Sequence, residues 1–284
     1  MDSTLTLYVD DIPLKYSGKG EQTAIKAKLA LKSNIEKTNF IMIEEPEANQ
    51  SFSNMRQLIT SMIEDCNEKQ TIITTHSSFV INKYGLDKLV LLHDGSVNGK
   101  PMMYSDLDRG TFEYFKKLPG YDTLRIILSR KVILVEGPSD ELIVQKAYAV
   151  KNGGRMPLDD GIDVMSVNSL AFSRFLEILK LTGNVVEVIT DNDGDIDSKR
   201  LESLRGYESE YIHIHCPDNP ETNTLEPCFV KCNELDVLNR ILSRDFHSKD
   251  ELIKYMVNNK TEWAMAVFDS NEKVVFPRYI EDAI

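Results

Sequence analysis

Short apolar runs that end in acids, each followed by helical spacing, constrain this chain more than any other feature. Residues 131–135 (KVILV) run into Glu136-Gly137-Pro138, and a helical stretch continues from Ser139 to about Lys151. Pro138 suits a first helical position. Further apolar runs lie at 162–166, 185–190 and 211–214, with a helical stretch at 169–180. The same rhythm is present earlier: helical spacing at 21–36, an apolar run at 40–43 ending in Glu44 and Glu45, a helix at 53–67, and a run at 71–74 ending near His76. A third run at 88–92 is closed by the turn His93-Asp94-Gly95-Ser96, and 97–128 reads as a mixed, hairpin-like stretch. Strand and helix in alternation predict an α/β chain, with parallel sheets flanked by helices. From Glu234 onward the tail is helical, with Leu235, Leu238, Ile241 and Leu242 on one face, then Leu252, Tyr255 and Met256 on another. The pattern restarts near Ser129, which predicts two domains, 1–128 and 129–284.

Composition narrows the function. The net charge of −12 excludes a basic DNA-coating protein, although a local basic groove can still outweigh it. With 42% hydrophobic and 27% charged residues, the chain is neither disordered nor fibrous. Four cysteines (Cys66, Cys216, Cys228, Cys232) are too few for a disulfide framework. No signal-like amino terminus and no bilayer-spanning apolar run is present, so the expectation is a cytoplasmic protein with no membrane partner.

Acids at strand ends are the candidate chemistry. Glu136 closes one strand, Asp191 closes another, Asp193 lies two residues further in TDNDGD, and Asp140 falls in the first turn after Glu136. In a parallel sheet the carboxyl ends of strands share one edge, so such acids converge. Carboxylates that close repel one another unless a hard divalent cation, usually Mg²⁺, sits between them. The bland alternative makes Glu136 a helix cap and the aspartates turn formers. A calcium loop through Asp191, Asp193, Asp195, Asp197 and Glu202 fails at Ile196, where such a loop needs Gly. A zinc site at His213, His215, Cys216, Cys228 and Cys232 is weakened by C-x₃-C spacing, with both histidines on one strand face. Trp263, among Ala264, Ala266 and Val267, reads as core.

Strand-EGPSD followed by strand-DND resembles the TOPRIM metal site of topoisomerases, primases and nucleases. In the first half, SGKGEQT (Ser17 to Thr23) resembles the ABC signature, IMI-Glu44-Glu45 resembles Walker B, and His76 resembles the switch histidine. No G-x-x-x-x-G-K-[ST] occurs, so the chain reads as the rear portion of a longer ATPase that does not hydrolyse ATP alone. An ABC-type ATPase running into a TOPRIM (Rossmann-like parallel sheet) domain with a helical tail resembles the OLD (overcoming lysogenization defect) nucleases, closest to the large nuclease subunit of the Gabija anti-phage system. TLEP and NKTEWA extend the resemblance to Glu226 and Lys260.

The resemblance implies a metal-dependent DNA endonuclease under ATPase control. Glu136, Asp191 and Asp193 would bind metal, Asp140 and Glu226 would complete the shell for a pair of Mg²⁺ or Mn²⁺ ions, and Lys260 would contact the phosphate. Ser17, Gly18, Gly20, Glu44, Glu45 and His76 would meet nucleotide if the missing Walker A half is supplied. Arg125, Arg130, Lys131, Lys199 and Arg200, with Arg205, are the basic residues placed to contact DNA. Implied partners are DNA, further copies of the chain as a dimer or tetramer, and a UvrD-like helicase subunit. Two other readings stay open: a noncatalytic scaffold for a helicase-like partner, and a primase or topoisomerase-type TOPRIM protein, which needs domains that 284 residues do not provide.

Overall fold

The computed structural model describes residues 7–9, 11–34, 38–66, 68–91, 102–103, 107–118, 123–167 and 171–284. The chain divides into two compact units, Met1–Leu124 and Arg125–Ile284. The division falls ahead of the expected Ser129, inside a short helix.

In the first unit, β1 (Tyr8–Val9) pairs antiparallel with β2 (Ile12–Pro13), and α1 (Lys19–Asn34) follows. The strand β3 (Phe40–Glu44), the helix α2 (Phe52–Asp65) and the strand β4 (Gln70–Thr74) form a parallel crossover, with Glu44 paired to Thr74. Ser51 caps α2 by accepting from the Asn54 amide. Met55, Leu58, Ile59, Met62, Phe79 and Val80 form the core, and Ile43 and Ile73 from the strands pack on it. The unit continues through α3 (Ser78–Tyr84), the antiparallel pair β5 (Val90–Leu91) and β6 (Met102–Met103), α4 (Arg109–Lys117) and α5 (Thr123–Leu128), which spans the division. The strand expected from Lys88 starts later. Gly85, at φ 114°, ends α3, and Leu86–Lys88 winds as one 3-10 turn before the backbone extends. The expected turn His93 to Ser96 lies outside the described residues.

The second unit is built on a parallel four-stranded sheet of order β10-β9-β7-β8. Its chain order is β7 (Lys131–Val135), α6 (Pro138–Lys151), β8 (Ile162–Ser166), α7 (Phe172–Leu179), β9 (Val185–Ile189), α8 (Lys199–Arg205) and β10 (Ile212–His215). Five helices close it: α9 (Leu225–Cys232), α10 (Leu235–Leu242), α11 (Lys249–Asn258), α12 (Lys260–Asp269) and α13 (Arg278–Glu281). Both faces of the sheet are covered, which explains the unbroken apolar run of β7. Ile133, Val135, Val164 and Ile189 pack into one core with α6, α9, α11, α12 and Trp263, while the alternate Val132, Leu134, Val186 and Val188 are equally buried on the other face. β10 begins one residue later than its apolar run suggests. The Ser209 hydroxyl accepts from the Tyr211 and Ile212 amides and holds Tyr211 in the turn. The expected start of α7 at Ser169 lies outside the described residues, and at the other end Lys180 is the cap that follows the helix.

The strand order sets the position of the site. From β7 the chain moves to β8 on one side, then crosses to β9 on the other, so direction reverses between β7 and β9. Crevices at such reversals, outside the carboxyl ends of strands, are where open parallel sheets bind ligands.

Candidate active site

Register brings the first acids together. Val135 of β7 pairs with Ile189 of β9, so Glu136 and Thr190 leave the sheet side by side. Glu136 Oε1 accepts from the Thr190 hydroxyl and from the Asp191 amide at 3.0 Å. The next turn is fixed by Asn192, which is fully buried. Its Nδ2 donates to the Pro217 carbonyl at 2.7 Å, and its Oδ1 accepts from the Gly194 amide at 2.9 Å. Asp193 then adopts φ 52° and Gly194 φ 83°. Aspartate tolerates this left-handed conformation better than most residues, and it leaves the Asp193 side chain mostly exposed.

Pro138 starts α6, as its ring predicts, and Gly137 is the cap. Asp140 Oδ2 accepts from the Gly137 amide at 3.1 Å, so the carboxylate that satisfies the cap residue's amide is that of Asp140 and not that of Glu136. The bland reading of Glu136 is thereby corrected: its carboxylate turns to β9. Glu226, in the first turn of α9, is 3% exposed, accepts from the Thr224 hydroxyl at 3.0 Å, and lies 3.9 Å from Lys260 Nζ. Lys260 opens α12 with its side chain mostly exposed.

These acids act on one another. Burial, then the charges of Glu136 and Glu226, push the Asp140 carboxyl up to about 7. Burial, then Glu136, Asp140, Glu226 and Asp193, push Asp191 up to about 8. Both shifts report negative charge without enough positive charge beside it. Arg200 is the cation held among Glu136, Asp191 and Asp193. Its Nη1 reaches Glu136 Oε1 at 3.1 Å and the Thr190 hydroxyl at 2.9 Å, and its Nη2 reaches the Asp191 carbonyl at 2.6 Å and Asp193 Oδ2 at 2.9 Å. Among the described residues no three His, Cys, Asp or Glu side chains form a ready metal cage. The donor set is nonetheless all oxygen, partly buried and mutually repelling, which fits a hard divalent cation.

Sequence reasoning passed over Thr190, which donates to the site, and Asn192, which shapes it. The TDNDGD stretch contains both, but only the strand register shows that Thr190 faces Glu136. Among the basic residues expected to face DNA, four have internal partners, Arg205 among them through a 3.3 Å bond from its Nη1 to the Ile196 carbonyl. Arg125 binds Asp163 and the Val164 carbonyl, Lys131 reaches Glu187 at 3.3 Å and the Ala283 carbonyl at 2.9 Å, and Arg200 holds the acids. Arg130 and Lys199 are exposed.

His213 Nδ1 and His215 Nε2 both face Glu187 Oε2, at 3.2 and 2.8 Å. Burial opposes the Glu187 charge, but His215 and Lys131 outweigh it and hold its carboxyl below the usual range. Cys228 donates to the Thr222 carbonyl, away from that pair.

In the first unit the expected nucleotide residues fall into two groups. Glu44 ends β3, and Glu45 follows at φ 40° with its amide on the Thr74 carbonyl. His76 Nε2 lies 3.2 Å from Glu45 Oε1, and Glu47 Oε1 ties the loop by accepting from Thr75 Oγ1 and the His76 amide. Ser17 and Gly18 precede α1, and the Gly20 carbonyl accepts from Gln50. A Cβ at Gly20 would meet the Asn49 carbonyl oxygen at 2.2 Å, so only glycine fits there.

Residues 127–193 match the model of the overcoming lysogenization defect protein-like TOPRIM domain, and residues 9–81 match an AAA ATPase domain. Endonuclease GajA of Bacillus cereus (strain HuB5-5) is 23% identical over 220 residues, covering 67% of this chain and 32% of that protein. The chain thus spans about a third of the length of that relative. The C-terminal region of the Xanthomonas campestris pv. campestris OLD protein is 23% identical, with 55% of this chain and 92% of that one covered and a TM-score of 0.40. For the C-terminal region of the Burkholderia pseudomallei OLD protein the values are 19%, 55%, 95% and 0.43. The first family match contains Glu136, Asp140, Asp191 and Asp193, and the second contains the Glu45–His76 pair. Residues 9–81 thus resemble an AAA ATPase domain and residues 127–193 an OLD-like TOPRIM domain, and the chain is similar to endonuclease GajA.

Proposed function

We propose that residues 125–284 form a divalent-metal-dependent DNA endonuclease, part of an OLD- or Gabija-type anti-phage complex in which the ATPase portion controls cutting. The observation that carries this reading is the gathering of Glu136, Asp140, Asp191, Asp193 and Glu226, with Lys260 at its edge, at the sheet's reversal point.

Glu136, Asp191 and Asp193 would hold the first Mg²⁺ or Mn²⁺, and Asp140 with Glu226 a second. Bound ions of this kind supply Lewis acidity and a nucleophilic water at neutral pH. The protein's own residues do the rest. Thr190 and the Asp191 amide fix the Glu136 carboxylate, so it is oriented before anything binds. Asn192 fixes the turn that presents Asp191 and Asp193. Lys260 Nζ, tethered beside Glu226 but open to solvent, is placed to neutralise charge that builds on a phosphate oxygen. Exposed Lys199, next to Arg200, is available to the DNA backbone at the site, whereas exposed Arg130 precedes β7 at the opposite edge of the sheet from Glu136. In the first unit, Glu45 and His76 would act on nucleotide only beside a phosphate-binding loop, which this sequence lacks. Assembly into a dimer or tetramer and docking of a UvrD-like helicase complete the reading.

Supercoiled plasmid incubated with the chain and Mg²⁺ or Mn²⁺ tests it. Nicking is expected, lost in EDTA and in Glu136→Ala and Asp191→Ala. A folded wild-type chain that does not nick, or variants that nick equally, would sink it.

A further inference from the structure

The geometry points to Arg200 as the resident counter-cation of the carboxylate site, one that a divalent cation must displace. This rests on the proposed metal binding and goes beyond it by naming what occupies the site first. Four acceptors converge on the guanidinium: Glu136 Oε1, the Thr190 hydroxyl, the Asp191 carbonyl and Asp193 Oδ2, all within 3.1 Å. Two of these belong to carboxylates that a metal would need.

Glu136 Oε1 already takes three donors, from Thr190, the Asp191 amide and Arg200. A carboxylate oxygen has about two lone-pair sites, so it has no capacity left for a cation while Arg200 stays. A cation on the other oxygen of either carboxylate would lie within a few ångströms of the guanidinium and be repelled by it. The Arg200 position is also imperfect. Its Nε is buried without a hydrogen-bond partner, a cost carried by the bound position and relieved by leaving it. The side chain is one quarter exposed and springs from the first turn of α8, so it has a route outward. Once displaced, it stands at the rim of the same crevice, where a phosphodiester would meet it.

The test is a Mn²⁺ titration of the full chain, followed by the electron paramagnetic resonance of free Mn²⁺, on wild type, Arg200→Gln and Arg200→Lys. Arg200→Gln is expected to bind Mn²⁺ about tenfold more tightly than wild type, the scale set by losing one charge-assisted hydrogen bond. Arg200→Lys, which keeps the charge but not the fork, should fall between them. Thermal melting gives a second readout. In EDTA the glutamine variant should melt below wild type, and saturating Mn²⁺ should raise its melting temperature by more. Folded Arg200→Gln that binds Mn²⁺ no more tightly than wild type overturns the inference alone. If that variant does not fold, Arg200→Lys decides in the same way. No Mn²⁺ binding by any of the three overturns the metal reading and this inference with it.

Discussion

The role proposed for Lys260 rests on its neighbour. Glu226 is almost wholly buried and Lys260 Nζ stands 3.9 Å from it, yet the lysine remains largely in solvent. An ion pair this exposed on one side adds little stability. Lys260→Ala should therefore leave the melting temperature almost unchanged while lowering the nicking rate by roughly 10²–10³, the usual effect of removing one donor to developing charge. Single-turnover nicking beside a melting curve checks both halves.

Asp140 and Asp191 give a pH prediction. Their folded carboxyls titrate at about 7 and about 8, above the ordinary value of 3.8. The folded chain therefore holds protons that the unfolded chain has released, so their contribution is fully present below about pH 4 and is lost as pH rises to 8. Metal-free protein should lose stability across that window, and Asp191→Asn should remove much of the loss, on the order of 2 kcal/mol at pH 8. Urea unfolding at pH 5 and pH 8 in EDTA measures this; a flat profile in wild type would contradict it. Glu136 and Asp191 were legible in the sequence because each closes an apolar run, and Asp140 and Asp193 because they follow those two within one turn. Their partners were not. Thr190 and Arg200 meet Glu136 across separations of 54 and 64 residues, which only the β7–β9 register decides.

At the scale of elements, the turn after β9 carries the site. Asn192 satisfies two carbonyls and one amide from a fully buried position. Asn192→Ala strands those groups and should cost about 1–3 kcal/mol, while Asp195→Ala, on the exposed part of the same turn, should cost far less. Chemical denaturation of the two variants separates them. The strands of the sheet and the start of α6 were readable because apolar runs and Pro138 mark them. The starts of β5 and β10 were not, because they depend on local events that apolar spacing does not encode. Gly85 takes a left-handed φ that admits a 3-10 turn, and the Ser209 hydroxyl holds back the start of β10. Glu187 is a similar case. A carboxylate in the middle of a buried strand looks misplaced until His213, His215 and Lys131 are seen around it.

For the whole molecule, two compact units divide the chemistry. The first carries a Glu45–His76 pair with no phosphate loop in the sequence, so the chain alone should show no ATP turnover with Mg²⁺, and its nicking should not respond to ATP. A phosphate-release assay beside the plasmid assay checks this, and ATP-dependent nicking by this chain would overturn it. The second carries the acids, and with a net charge of −12 the chain, on the proposed reading, would meet DNA through metal and a few placed cations rather than through bulk attraction. The central claim is that these acids form one cation site. Crystals of the chain soaked in Mn²⁺ and measured at the manganese absorption edge test it most directly. The account predicts anomalous peaks in contact with the carboxylates of Glu136, Asp191 and Asp193, with Arg200 moved away; manganese bound elsewhere, or none bound at all, would contradict it.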